Sequence, residues 1–107
     1  MAKNYIQDGN TVRLNATKAI KSGDVMVAED LIAIAVTDAD KNDAVVGLTT
    51  GVFTVKAKQA DDIKQGVVLY WSETDGATIT AGSNKRLGIA WQASGTSSAT
   101  VDVKINA

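Results

Sequence analysis

The sequence predicts an all-β chain, a small antiparallel barrel or sandwich of about eight or nine short strands. Three observations predict it. Apolar and polar residues alternate along most of the chain, which is the mark of strands with one wet face. Turn phrases bearing glycine recur about every ten residues, as they do in small β sandwiches and barrels. Helical spacing surfaces in only one short stretch.

Taken in order, "AKNYIQDGN" carries two large apolar side chains, Tyr5 and Ile6, ahead of the first clear strand. Residues 1–10 are therefore set apart as an N-terminal arm, and 11–107 as a single β domain. "TVRLNA" places Val12, Leu14 and Ala16 on one face, with Arg13 and Asn15 on the other. "DLIAIAV" and "GVVLYW" are apolar on both faces, so they are expected to be central strands or to be covered by a second layer. "TDADKNDA" between strands reads as a polar hairpin tip. "AKQADDIKQG" is the one candidate for helix, a short segment near residues 59–65, with Ala60, Ile63 and Lys64 at helical spacing and Gly66 as its stop. Asp75-Gly76 has the composition of a two-residue type I′ hairpin. "RLGIAWQA" is expected to turn Leu87, Ile89, Trp91 and Ala93 to one side, and "TVDVKIN" closes the chain with Val101, Val103 and Ile105 inward.

Composition removes most chemistry. The chain of 107 residues has neither Cys nor His, which leaves no thiol nucleophile, no Ser-His-Asp triad and no ordinary zinc site. Asp38, Asp40 and Asn42 have the spacing that opens a calcium loop, but an EF-hand needs glycine at the sixth position and glutamate at the twelfth. Here those positions hold Asp43 and Thr49. No phosphate-binding loop is present, since "GSNKRLG" lacks a second glycine followed by lysine. The adjacent acids Glu29-Asp30 and Asp61-Asp62 would point to opposite faces of a strand or into water, and neither pair suits a two-carboxylate mechanism. The expectation is a non-enzyme with no catalytic, cofactor or metal site.

Partners are narrowed in the same way. A formal charge of -1 with scattered basic residues gives no reason to expect nucleic acid. The first ten residues lack the apolar core of a signal peptide and no run approaches a membrane span, so synthesis and residence in a cytoplasm are expected, with no membrane partner. Of the five aromatics, Trp91 is expected to pack in the core. Tyr70 and Trp71 are strand neighbours, so one ring faces the core and the other faces outward, towards a protein partner.

The phrases "MAKNYIQDGNTVRL", "AIKSGDVMVAEDLIAIAVTDA", "VGLTTGVFTVKAK", "GVVLYWSETDGATIT" and "LGIAWQASGTSSATVDVKIN", in that order over nearly the whole chain, resemble a family of small tailed-phage and prophage proteins. Many of that family are head decoration, or capsid cement, proteins. Members are sometimes labelled phage recombinases of the RecA/RadA type, a label that a chain without a phosphate loop does not support. The resemblance implies a non-catalytic β protein on the outer surface of the virion head, made in the host cytoplasm, binding the major capsid protein as a homo-oligomer, with a trimer favoured. Tyr5 and Ile6 of the arm are expected to anchor against the shell or a neighbouring subunit. The alternative readings are a nucleic-acid accessory factor for recombination and a carbohydrate-binding module displayed on the virion.

Overall fold

A computed structural model describes residues 3–4, 6–58, 61–95 and 98–107. Nine strands follow one another: β1 Thr11–Asn15, β2 Val25–Ala28, β3 Leu31–Ala35, β4 Ala44–Leu48, β5 Val52–Lys56, β6 Val68–Ser72, β7 Gly76–Thr78, β8 Lys85–Ala90 and β9 Thr100–Ile105. They form a four-stranded sheet ordered β1-β4-β3-β2 and a five-stranded sheet ordered β5-β9-β8-β6-β7, with antiparallel ladders throughout. The architecture is sandwich-like. Neither sheet closes into a barrel, although one parallel bridge, Ala57 to Ala77, draws the edge strands of the larger sheet together. At that meeting Gly76, with φ +87, lies so close to β5 that an added Cβ would stand 2.4 Å from the Lys56 carbonyl oxygen.

Alternation explains where the core sits. Ile32 and Ile34 of β3 face the five-stranded sheet and join Val55, Leu69, Leu87, Val101, Val103 and Ile105 in the main core. Their neighbours Ala33 and Ala35 face the other way, into a second cluster with Met26, Val45, Ala16 and Ile20. This accounts for the continuous apolar run of β3: it is central in its sheet and covered on both faces. β6 is central too, between β8 and β7. The alternation expected of β1 and β9 is present, with Val101, Val103 and Ile105 all buried.

Three local features differ from the sequence reading. Among the described residues there is no helix. Gln59 and Ala60 lie outside them, and residues 61–65 form an irregular segment whose Ile63 bridges Gly95. Ile63 is fully buried in the main core, so the segment supplies one apolar plug where a helix would need an apolar stripe. The β6–β7 loop is Glu73 to Asp75, because Ser72 pairs with Gly76 and the glycine belongs to the strand. Conversely, β2 and β3 are joined by a two-residue turn, Glu29-Asp30, that contains no glycine; Glu29 takes the left-handed conformation at φ 54.

A further difference lies in β8. Leu69 pairs with Gly88 but Tyr70 pairs with Arg86, so Leu87 is an extra residue in a β-bulge. The bulge inverts the alternation: Leu87 and Ala90 are buried, while Ile89 is half-exposed and Trp91 is 47% exposed. Trp91 therefore leaves the core that period two assigned to it. Where β9 ends, Asn106 takes a left-handed conformation (φ 58) and its side chain replaces a missing strand neighbour: the Oδ1 accepts from the Ile32 N–H, and the Nδ2 donates to the Ile32 and Thr49 carbonyls.

Candidate functional site

The acidic pairs hold structure. Glu29 and Asp30 are the β2–β3 turn, and Asp30 meets Lys85 of β8 at 3.3 Å. Asp61 and Asp62 diverge, the latter pairing with Lys64 at 3.0 Å, while the Asp61 carboxylate accepts from the buried Thr78 hydroxyl at 2.6 Å and from the Ile79 N–H at 3.1 Å. Burial pushes the Asp61 carboxyl upward, but those two hydrogen bonds and the Lys58 charge outweigh it and hold its pKa below the ordinary aspartate value. The stability it contributes is thus present above an unfolded-state pKa of about 3.9 and is lost as pH falls through the lower folded-state value. Asp61→Asn is expected to flatten the acid limb of a melting-temperature series below about pH 4; an acid limb identical to that of the parent in calorimetry would remove Asp61 from the account.

No group of three or more metal-ligating side chains forms among the described residues. Asp38 of the β3–β4 connection instead accepts from the Ser22 N–H, and Ile20 bridges Ala39, so this tip is pinned to the β1–β2 loop. What the fold offers is surface.

The outer face of the five-stranded sheet carries the largest exposed ring. The Trp91 N–H of the main chain bonds the Asp102 carbonyl at 2.8 Å, which seats the residue beside β9. Lys104 Nζ lies 5.8 Å from the indole centroid, a cation–π contact that props the ring at the surface. Lys104 pairs with Val52 on one side and Ile89 on the other, and Val52 is 44% exposed. Thr54 donates to Asp102 at 2.5 Å along the same face. An aromatic anchor with apolar neighbours and a polar rim is the composition of a protein contact.

The residues singled out from sequence are dispersed. Tyr5 lies outside the described residues. Ile6 is 86% exposed, more so than any other large apolar residue described. Tyr70 is half-buried, and its neighbour Trp71 packs against the main core with its indole N–H buried and unpartnered. Trp91 was missed as a surface residue, and the glycine following Leu87 was the available sign of the bulge that exposes it.

A second feature lies in the four-stranded sheet. Its two edge strands, β1 and β2, line one open cavity of about 380 Å³ with Leu14, Ala16, Ile20 and Met26 in its wall and Lys18, Glu29 and Glu73 at its rim.

A family model described as phage cement protein matches residues 6–105. Comparison with curated proteins and with solved structures returned no match. The matched span runs from the exposed Ile6 through all nine strands to the last residue of β9, so both sheets and both surface features fall within it, and this two-sheet chain, with faces to bind and no assembled reactive centre among its described residues, belongs to the phage cement protein family.

Proposed function

We propose that the protein decorates the outer surface of an assembled phage head and stabilises it by docking the Trp91 face of its five-stranded sheet on the shell. Family membership carries the capsid-binding role. The exposed Trp91, with Val52 and Ile89 around Lys104, supports the choice of face. Cement action needs no catalysis. A ligand that binds the assembled shell and not its separated subunits stabilises the shell by mass action, in proportion to ln(1 + [L]/Kd). Capsid expansion can create such a site by bringing subunits into a new relation.

Cosedimentation of the purified protein with empty heads, before and after expansion, tests this reading. Saturable binding to expanded heads, with a rise in their melting temperature as protein is added, is the expected result. Absence of binding to either form would overturn it.

A further inference from the structure

We infer that the cavity between β1 and β2 is the acceptor for the N-terminal arm of a second copy of this chain, which enters as an added strand antiparallel to β2. This goes beyond the docking of the Trp91 face and stands independently of it.

The acceptor is built from two unpaired edges. Among the described residues β1 pairs only with β4 and β2 only with β3. Asn10 and Ala16 direct backbone groups to the β4 side, through Thr49, Asp43 and Asn42, so by the alternation of an antiparallel ladder Arg13 and Asn15 turn theirs to the open edge. The Asp24 carbonyl accepts from the Ala35 N–H, which likewise leaves Val25 and Val27 of β2 facing outward. Unpaired edges flanking an apolar cavity are a template for an incoming strand.

The donor is on the same chain. Ile6 stands 86% exposed ahead of β1. Charge sets its direction and register. With Lys3 opposite Glu29 at the rim, antiparallel pairing brings Ile6 opposite Met26, whose buried side chain points into the second cluster and lines the cavity. The apolar residue of the arm thus meets the apolar part of the cavity, and the lysine meets the carboxylate.

Topology requires a second copy. A strand antiparallel to β2 in this position runs parallel to β1, and parallel neighbours need a connection of about a dozen residues. Only Gly9 and Asn10 separate Asp8 from β1, and their carbonyls are held by Thr49. In its own chain the Gln7 amide donates to the Thr11 carbonyl at the start of β1, at 2.7 Å.

The test uses the absence of native cysteine. Ile6 and Met26 would form a non-hydrogen-bonded pair, with Cα atoms about 4.5 Å apart, within the range that a disulfide spans. Mixing the separate variants Ile6→Cys and Met26→Cys under mild oxidation, without capsids, is expected to give a disulfide joining one of each. Removing residues 2–8 is expected to reduce the oligomer to monomer by light scattering while the far-ultraviolet circular dichroism is kept. A full-length chain that is monomeric, an oligomer whose stoichiometry survives the truncation, or folded variants that fail to cross-link on mixing would each overturn the inference. So would a double variant that forms its disulfide only within one chain. None of these outcomes bears on whether the Trp91 face binds heads, so the two readings fail separately.

Discussion

Gly88→Ala is expected to lower stability by about 3 kcal/mol, the upper end of the usual cost of forcing atoms into a packed core, and the melting temperature by roughly 12 °C or more. A Cβ at this position would lie 2.0 Å from the Lys104 carbonyl oxygen and 3.0 Å from the Ile105 Cα. Neither neighbour is the free end of a side chain. Relief requires β8 and β9 to separate where Gly88 pairs with Ile105 and Ile89 with Lys104, and that motion would pull Leu87, Val103 and Ile105 away from one another in the main core. Domains of this size have only about 5–15 kcal/mol of net stability, so the loss is a large fraction of the whole. Urea unfolding checks it: the midpoint should fall with the slope unchanged. A shift worth less than about 1 kcal/mol would mean that the β8–β9 ladder yields easily and that the bulge is not fixed by close backbone approach.

Trp91→Ala is expected to leave folding nearly intact and to weaken binding to expanded heads about thirty-fold, the equivalent of about 2 kcal/mol for a central interface tryptophan. The separation of the two effects follows from position. Trp91 is 47% exposed and sits outside both core clusters, so its removal takes little from the core and forfeits mainly the contact with Lys104, worth roughly 0.5–1 kcal/mol at an exposed site. On the shell the same ring would be desolvated, where truncation costs most. Binding curves by cosedimentation, set beside melting curves of the free protein, separate the outcomes. Equal affinity of the variant and the parent would remove this face from the capsid contact and send the search to the surface where Val36 and Val46, both more than 40% exposed, meet through the Val36 N–H and Val46 carbonyl.

Much of the fold was legible residue by residue. Val12 and Leu14, or Val101, Val103 and Ile105, report their face directly, since a strand with one wet side can bury only every second side chain. The run in β3 announced a strand covered twice, and Ile32 and Ala33 do lie in different clusters. The misreadings have separate causes. Leu87, Gly88 and Ile89 break period two because an added residue in β8 shifts the register against β6, and the spacing of apolar residues alone gives no sign of such a shift. Ile63 has the neighbours of a short helix, yet a single buried side chain under an irregular segment leaves the same pattern as one helical turn. The β2–β3 turn escaped notice because Glu29 adopts a conformation usually left to glycine or asparagine.

The sequence by itself determined that the chain is built of alternating strands, that it carries no thiol or imidazole chemistry, and, through the order of its strand and turn phrases, which family it belongs to. These are local or compositional properties, fixed by each residue and its near neighbours. Only the tertiary structure decided which ring reaches the surface, which strands stand at the sheet edges, and where the open cavity lies. Those properties depend on pairings between residues far apart in the chain, where one bulge exchanges the inside for the outside of a strand and the sheet order alone determines which edges stay open.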